Sequence, residues 1–453
     1  MADRSLQRIT EGVIWKQLLS YFFPILLGTF FQQMYNTVDT IVVGRYVGTH
    51  ALAAVGSASP LISLVTGFFV GLSSGATVLI SQRFGAGDRK GVQDAVHSGI
   101  ALAILLGVLI TALGLAGSRT ILGWMHTPAE NMADATHYSW IYFCGSVSSM
   151  VYNMGAGILR AMGDSRRPTV FLMITCVLNI LGDLLFVLVL GMEIAGVALA
   201  TALSQTVSAV LVLITLAKLP EDVAFRPRKL KLNGKLLGII LGIGIPAGLQ
   251  MTTFDLAGTL IQSGVNTFGE TTVAAWTAFY KTDFISWMIA GAFGVSITTF
   301  VGQNFGAGHI DRVKRSVWVC IGISMVTQAL ISALELGFRF TLVGIYSTDA
   351  EVIQLAARLL MITVPFNFIF MPMEIFSGAM RGTGHAVVPT LIMCVCICLY
   401  RVLWVLTVVK LYHYIEVLAL CYPISWVLAD IAMYIAYLRG NWLKKTESIT
   451  NYA

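Results

Sequence analysis

The chain has 453 residues, 57% of them hydrophobic and 11% charged, with a net charge of +6 and a mean hydropathy of +0.79. A water-soluble domain carries roughly a quarter charged residues, so this composition excludes a soluble globular protein. No basic stripe interleaves with aromatic residues, which excludes a nucleic-acid partner.

Residues 5–16 read as a polar, amphipathic interfacial helix that leads straight into an apolar span, with no small-residue cleavage site of a signal peptide. Apolar spans then follow at 15–43, 52–81, 93–117, 137–160, 167–191, 194–217, 237–265, 272–300, 315–338, 356–380, 386–410 and 415–438. Each is long enough as a helix to cross about 30 Å of hydrocarbon. With both termini cytoplasmic, 22 of the lysines and arginines fall on the inside. Only Arg45, Arg119, Arg339, Arg358 and Lys410 fall outside, and Lys281 and Arg401 lie within spans. That bias is the positive-inside pattern, and one missed helix would scramble it. The seven cysteines all fall inside spans, which argues against a disulfide framework, and Cys394, Cys396 and Cys398 are spaced too closely to share one helix face around a metal.

An internal repeat runs at a constant offset of 221 residues. Gln82-Arg-Phe-Gly-Ala-Gly87 matches Gln303-Asn-Phe-Gly-Ala-Gly308, and Gly157, Arg160, Gly163, Pro168 and Thr169 match Gly378, Arg381, Gly384, Pro389 and Thr390. Six spans per half make both halves enter from the same side, a parallel repeat about a pseudo-twofold axis along the membrane normal. The expected architecture is therefore an all-α membrane protein of twelve transmembrane helices in two six-helix lobes. Its expected divisions are an N-terminal lobe at 1–217, a basic cytoplasmic linker at 218–236, a C-terminal lobe at 237–440 and a cytoplasmic tail at 441–453.

Ionisable residues at membrane depth are costly and are functional candidates. Asp39 in span 1 shares a helix face with Gln32 and Asn36, and Asp183 in span 5 shares one with Asn179. At 1.5 Å per residue, Asp39, Asp183 and Thr201 of span 6 come out at one depth, about 6–12 Å below the outer surface. Asn153 of span 4 comes out deeper and meets them only if that helix bends. Two carboxylates with amide neighbours suit a proton site, because burial and a neighbouring like charge both favour the neutral acid. The positions 221 residues beyond Asn179, Asp183 and Thr201 are Tyr400, Trp404 and Tyr422, so the second lobe lacks this set. That lobe carries Asp255, Lys281, Asp283, Glu374, Arg401 and Asp430 instead. Asp255 and Lys281 are expected to pair, and with Asn36 and Glu374 they are candidates for substrate binding or gating.

The segment Asn36-Thr-Val-Asp-Thr-Ile-Val-Val-Gly-Arg-Tyr-Val-Gly48, the two Gln-x-Phe-Gly-Ala-Gly loops, and Arg160-Ala-Met-Gly-Asp with Arg381-Gly-Thr-Gly resemble the multidrug and toxic compound extrusion (MATE) family, most closely its DinF-like bacterial branch. The resemblance spans essentially the whole chain. It implies a secondary antiporter that exports amphipathic organic cations by alternating access in exchange for H⁺ or Na⁺, without other cofactors. It also implies a monomer in the bacterial inner membrane, surrounded by lipid and engaging small molecules. In that branch the cation site uses an aspartate on helix 1, an asparagine on helix 4, an asparagine–aspartate pair on helix 5 and a threonine on helix 6. The matching positions are Asp39, Asn153, Asn179, Asp183 and Thr201, and the branch's helix-4 tyrosine matches Tyr138, with Tyr142 the alternative. The NorM-like branch has a helix-7 glutamate where this chain has Phe254 beside Asp255, which favours H⁺ over Na⁺; bound Na⁺ would fall at Asp39, Asn179 and Asp183. A lipid-linked precursor flippase is the competing reading, though a basic groove for pyrophosphate is missing. No catalytic motif supports an enzyme.

Overall fold

The computed structural model of the protein describes residues 9–444. The expected interfacial helix lies partly outside this range, as does most of the tail. Residues 9–13 form turns, with Gly12 at φ +90°, and helix begins at Ile14.

Among the described residues the secondary structure is entirely helical. The long helices are α1 (Ile14–Val47), α2 (Thr49–Ala86), α3 (Arg89–Trp124), α6 (Arg166–Val189), α7 (Glu193–Ala217), α8 (Gly234–Phe268), α9 (Glu270–Gly306), α10 (Ile310–Gly337), α11 (Ala350–Gly382), α12 (Val387–Leu411) and α13 (Ile415–Arg439). These eleven are long and apolar enough to cross a membrane. The remaining pass is broken at Gly145 into α4 (Met132–Cys144) and α5 (Ser146–Ala161). Large apolar side chains such as Phe23, Leu113, Val177 and Leu330 stand exposed on these helices. A water-soluble protein would bury such a girdle; lipid solvates it.

The repeat found in the sequence reappears in the backbone. Gly48 and Gly269, Gly87 and Gly308, and Gly163 and Gly384 all take positive φ, between +78° and +117°. Each pair is separated by the repeat offset. The Gln-x-Phe-Gly-Ala-Gly motif is thereby explained as a helix stop. Gly87 adopts the left-handed conformation at the end of α2 and its N–H bonds back to the Arg83 and Phe84 carbonyls, a geometry that favours glycine. Asp88 then caps α3 by accepting from the Gly91 N–H at 2.8 Å.

The described chain divides into two compact units, one of residues 9–11 and 23–248, the other of residues 12–22 and 249–444. These limits differ from the divisions expected at 218–236. The basic linker is part of the first unit because α3 holds it: Gln93 donates to the Glu221 carbonyl at 2.8 Å, Ser98 to the Lys231 carbonyl at 3.1 Å, and the Arg226 N–H to His97 Nε2 at 2.9 Å. The first half of α8 also joins this unit, since α2 meets it at backbone contact. A Cβ built on Gly71 would lie 2.3 Å from Gly248 Cα, and one on Gly75 would lie 2.1 Å from the Ile240 carbonyl oxygen. In the second unit, the early part of α1 is held by Phe22 stacked on Phe293, centroids 4.0 Å apart, and by Arg312 donating to the Gly12 carbonyl and Gln17.

Candidate functional site

The first unit brings Asp39, Asn179, Asp183 and Thr201 together. Asp39 comes from α1, Asn179 and Asp183 from one face of α6, and Thr201 from α7. Asn179 and Asp183 are fully buried, Thr201 nearly so, and Asp39 partly. The Thr201 hydroxyl lies 3.4 Å from Asp39 Oδ2 and 3.1 Å from the Val197 carbonyl oxygen, and Asn179 Nδ2 donates to Thr201 Oγ1 at 3.3 Å. The two carboxyl groups are near enough to interact electrostatically.

Donors are scarce there. Asp39 Oδ1, both oxygens of Asp183 and Asn179 Oδ1 are buried with no partner. A buried acceptor left unpaired costs roughly 1–3 kcal/mol, and more if it carries charge. Two neighbouring carboxylates therefore call for something positive between them. A proton shared by the pair would supply it, and so would a cation that takes oxygen ligands.

Apolar packing closes one side of the site. Val42 and Val43, one turn beyond Asp39, cluster with Val187, one turn beyond Asp183, and with Val197, one turn before Thr201. Tyr138 of α4 belongs to the same cluster, and its hydroxyl is near enough to interact electrostatically with Asp39 and Asp183. Both acid-bearing helices change winding directly after this point, to π turns at Val43–Val47 and Leu184–Val189. Such single π turns cluster at functional positions.

Among the described residues, Asn153 makes no hydrogen bond to this group. Its Nδ2 donates to the Ser149 carbonyl at 2.9 Å, one turn back on α5. Asn36 is exposed on α1, and its carbonyl accepts from Thr40 Oγ1. Sequence reasoning named Tyr142 but overlooked Thr66, Gln205 and Tyr35: Tyr142 and Thr66 share a hydrogen bond of 3.1 Å, and Gln205 donates to the Tyr35 hydroxyl at 3.4 Å. Tyr35 lies four residues before Asp39, a spacing that could have flagged it.

In the second unit the expected Asp255–Lys281 pair is not formed. Lys281 is exposed on α9 with its ammonium 5.8 Å from the Tyr346 ring centroid, while Asp255 is half-buried on α8. Similar estimated depth did not mean shared azimuth. Glu374 faces Arg381, two turns along its own helix, with 3.9 Å between Oε1 and Nη2. It occupies space that Gly294 leaves open, since a Cβ there would lie 2.3 Å from Glu374 Oε1.

A family model for MatE matches the chain twice, over residues 24–185 and 246–406. The two matches share one register, offset by the internal repeat to within a residue. The chain is 29% identical to the probable multidrug resistance protein YoeA of Bacillus subtilis, over 97% of this chain and 96% of that protein. It is 33% identical to the probable multidrug resistance protein YpnP of the same organism, over 67% and 68% respectively. The solved outward-facing conformation of a multidrug resistance MATE family transporter of the MOP superfamily superposes with a TM-score of 0.88 at 22% identity, covering 98% of this chain and all of that one. The twofold match, the curated relatives and the shared fold lead to one conclusion: the chain belongs to the MatE family of membrane transporters.

Proposed function

We propose that the protein is a secondary antiporter that exports amphipathic organic cations in exchange for H⁺, and that the proton is carried by the Asp39–Asp183 pair. The observation that carries this reading is the convergence of two carboxyl groups from α1 and α6 at Thr201 and Asn179, with three of their four oxygens buried and unpaired. Loading a proton takes the pair from two negative charges to one; releasing it restores the second charge, which an organic cation can complement. The relatives YoeA and YpnP are described as probable multidrug resistance proteins, which supports drugs as the substrate class. The lysine and arginine distribution supports cytoplasmic termini in a bacterial inner membrane, and alternation of the two related halves would expose the site to either side in turn.

One observation favours Na⁺ as the coupling ion instead. The unpaired atoms at the site are all oxygens, Asn179 Oδ1 among them, and hard cations take oxygen ligands. The two readings separate in proteoliposomes loaded with a fluorescent organic cation. Export driven by a pH gradient, at equal sodium on both sides, is the expected result. Export that answers only to a sodium gradient at constant pH would assign the site to Na⁺.

A further inference from the structure

The second unit holds a buried acidic cluster that no part of the Asp39–Asp183 reading uses. Asp283 and Ser286 lie on one face of α9. Gln328, Ser332 and Glu335 lie on one face of α10, and Asn367 lies in the 3₁₀ turn of α11. Each of the six is at most 5% exposed. Asn367 Nδ2 donates to Asp283 Oδ1 at 2.6 Å and to Ser286 Oγ at 3.1 Å, and Trp287 Nε1 donates to Asp283 Oδ2 at 3.2 Å. Gln328 Nε2 donates to Ser286 Oγ at 2.7 Å. Ser286 then has one proton left, and its only remaining acceptor is Glu335, at 3.3 and 3.4 Å from the two carboxyl oxygens.

The hydrogen-bond inventory makes the two acids unequal. Asp283 receives two good neutral donors, one on each oxygen. Glu335 receives a single long contact. Among the described residues, no lysine, arginine or histidine lies within ion-pair distance of either carboxyl. The other ionisable groups near enough to interact electrostatically with Asp283 are Tyr280 of α9, Glu335 of α10 and Tyr422 of α13, with the Arg401 guanidinium of α12 stacked on Tyr422 at 4.0 Å. An ionised carboxylate buried without a counter-charge costs several kcal/mol.

A second observation points to a ligand. Gln328 is fully buried and its Oε1 has no hydrogen-bond partner. Beside it lies a void of about 10 Å³, at the lower limit for one water molecule, with Ser286, Gln328 and Asn367 as its polar lining and Trp287, Phe370, Met371 and Trp426 closing the rest. The amides of Asn367 and Gln328 turn N–H groups toward the centre of the cluster, where a metal cation would require oxygens.

We propose that this cluster is a second proton-binding site, in which Glu335 holds the proton and Ser286 and Asn367 link it to Asp283. It deepens the proton-coupled reading by giving the transport cycle a second group that can load and unload H⁺. It does not depend on the first site, so the two are tested separately.

The test is infrared pH titration of the purified full-length protein in lipid nanodiscs, with Asp39→Asn and Asp183→Asn both present to silence the first site. The expected result is a protonated-carboxyl band at neutral pH that is lost in Glu335→Gln. Asp283→Asn and Ser286→Ala should displace its titration midpoint while leaving Glu335 in place, which keeps the test valid if Glu335→Gln fails to fold. A neutral-pH band unchanged by Glu335→Gln, or a midpoint unmoved by both neighbouring variants, would overturn the proposal. Loss of the band on adding Na⁺ at constant pH would overturn it as well, in favour of a metal cation.

Discussion

Asp39, Asn179, Asp183 and Thr201 could be grouped from the sequence because helical spacing is a strong geometric constraint. Residues four apart share a face, and a constant rise per residue converts position into depth. Azimuth between helices is not encoded that way. Asp255 and Lys281 were matched in depth, yet they do not meet. We therefore expect Asp255→Asn and Lys281→Met to have additive effects on thermal stability in detergent, within about 0.5 kcal/mol. A coupling energy well above that in a double-mutant cycle would restore the pair. The Asp283–Glu335–Asn367 cluster was invisible for the same reason. Its members come from three helices, 32 to 84 residues apart along the chain, and no motif links them.

His385, in the turn between α11 and α12, offers a pH prediction at the same scale. Burial pushes its imidazole below the usual 6.5, opposed by a backbone hydrogen bond involving Thr383. The unfolded chain then binds a proton near pH 6.5 that the folded chain refuses. Stability contributed by the neutral ring is present above that pH and falls as the solution is acidified through it. Melting temperatures measured across this range should decline less steeply for His385→Gln than for the native protein. Identical slopes would remove His385 from the account.

At the scale of elements, the sequence showed the repeat and most of the helix boundaries, because apolar length and glycine stops are local signals. The break at Gly145 was not legible: the apolar pattern runs straight through it. The unit limits were not legible either, since they depend on close approach between α2 and α8, not on composition. Gly71 and Gly248 let those two backbones touch. Gly71→Ala should lower stability by about 1–3 kcal/mol through overpacking, read as a drop in detergent melting temperature. Gly242→Ala, on the same α8 with nothing within 4 Å of the added Cβ, is the control and should change little. Equal tolerance of both substitutions would show that the contact is slack.

At the scale of the whole molecule, the two halves keep one frame and differ in chemistry. Positive-φ glycines recur in both halves, and so do their threonines. Thr169 donates to the Pro24 carbonyl at 2.6 Å, and its counterpart Thr390 donates to Gln250 at 3.4 Å. The acid pair of the first unit has no counterpart at the repeat positions, where Leu260 and Trp404 stand. A residue needed only for folding would be expected in both halves, so the asymmetry points to function. The family assignment rests on the frame, whereas the coupling mechanism rests on these few residues.

The central claim is that Asp39 and Asp183 share a proton which substrate displaces. The most direct measurement is proton release when an organic cation is added to purified protein in weakly buffered detergent solution. The native protein should release protons on binding, and Asp39→Asn and Asp183→Asn should each lose that release while remaining folded. Undiminished release from both variants, or substrate binding without any release from the native protein, would contradict the account.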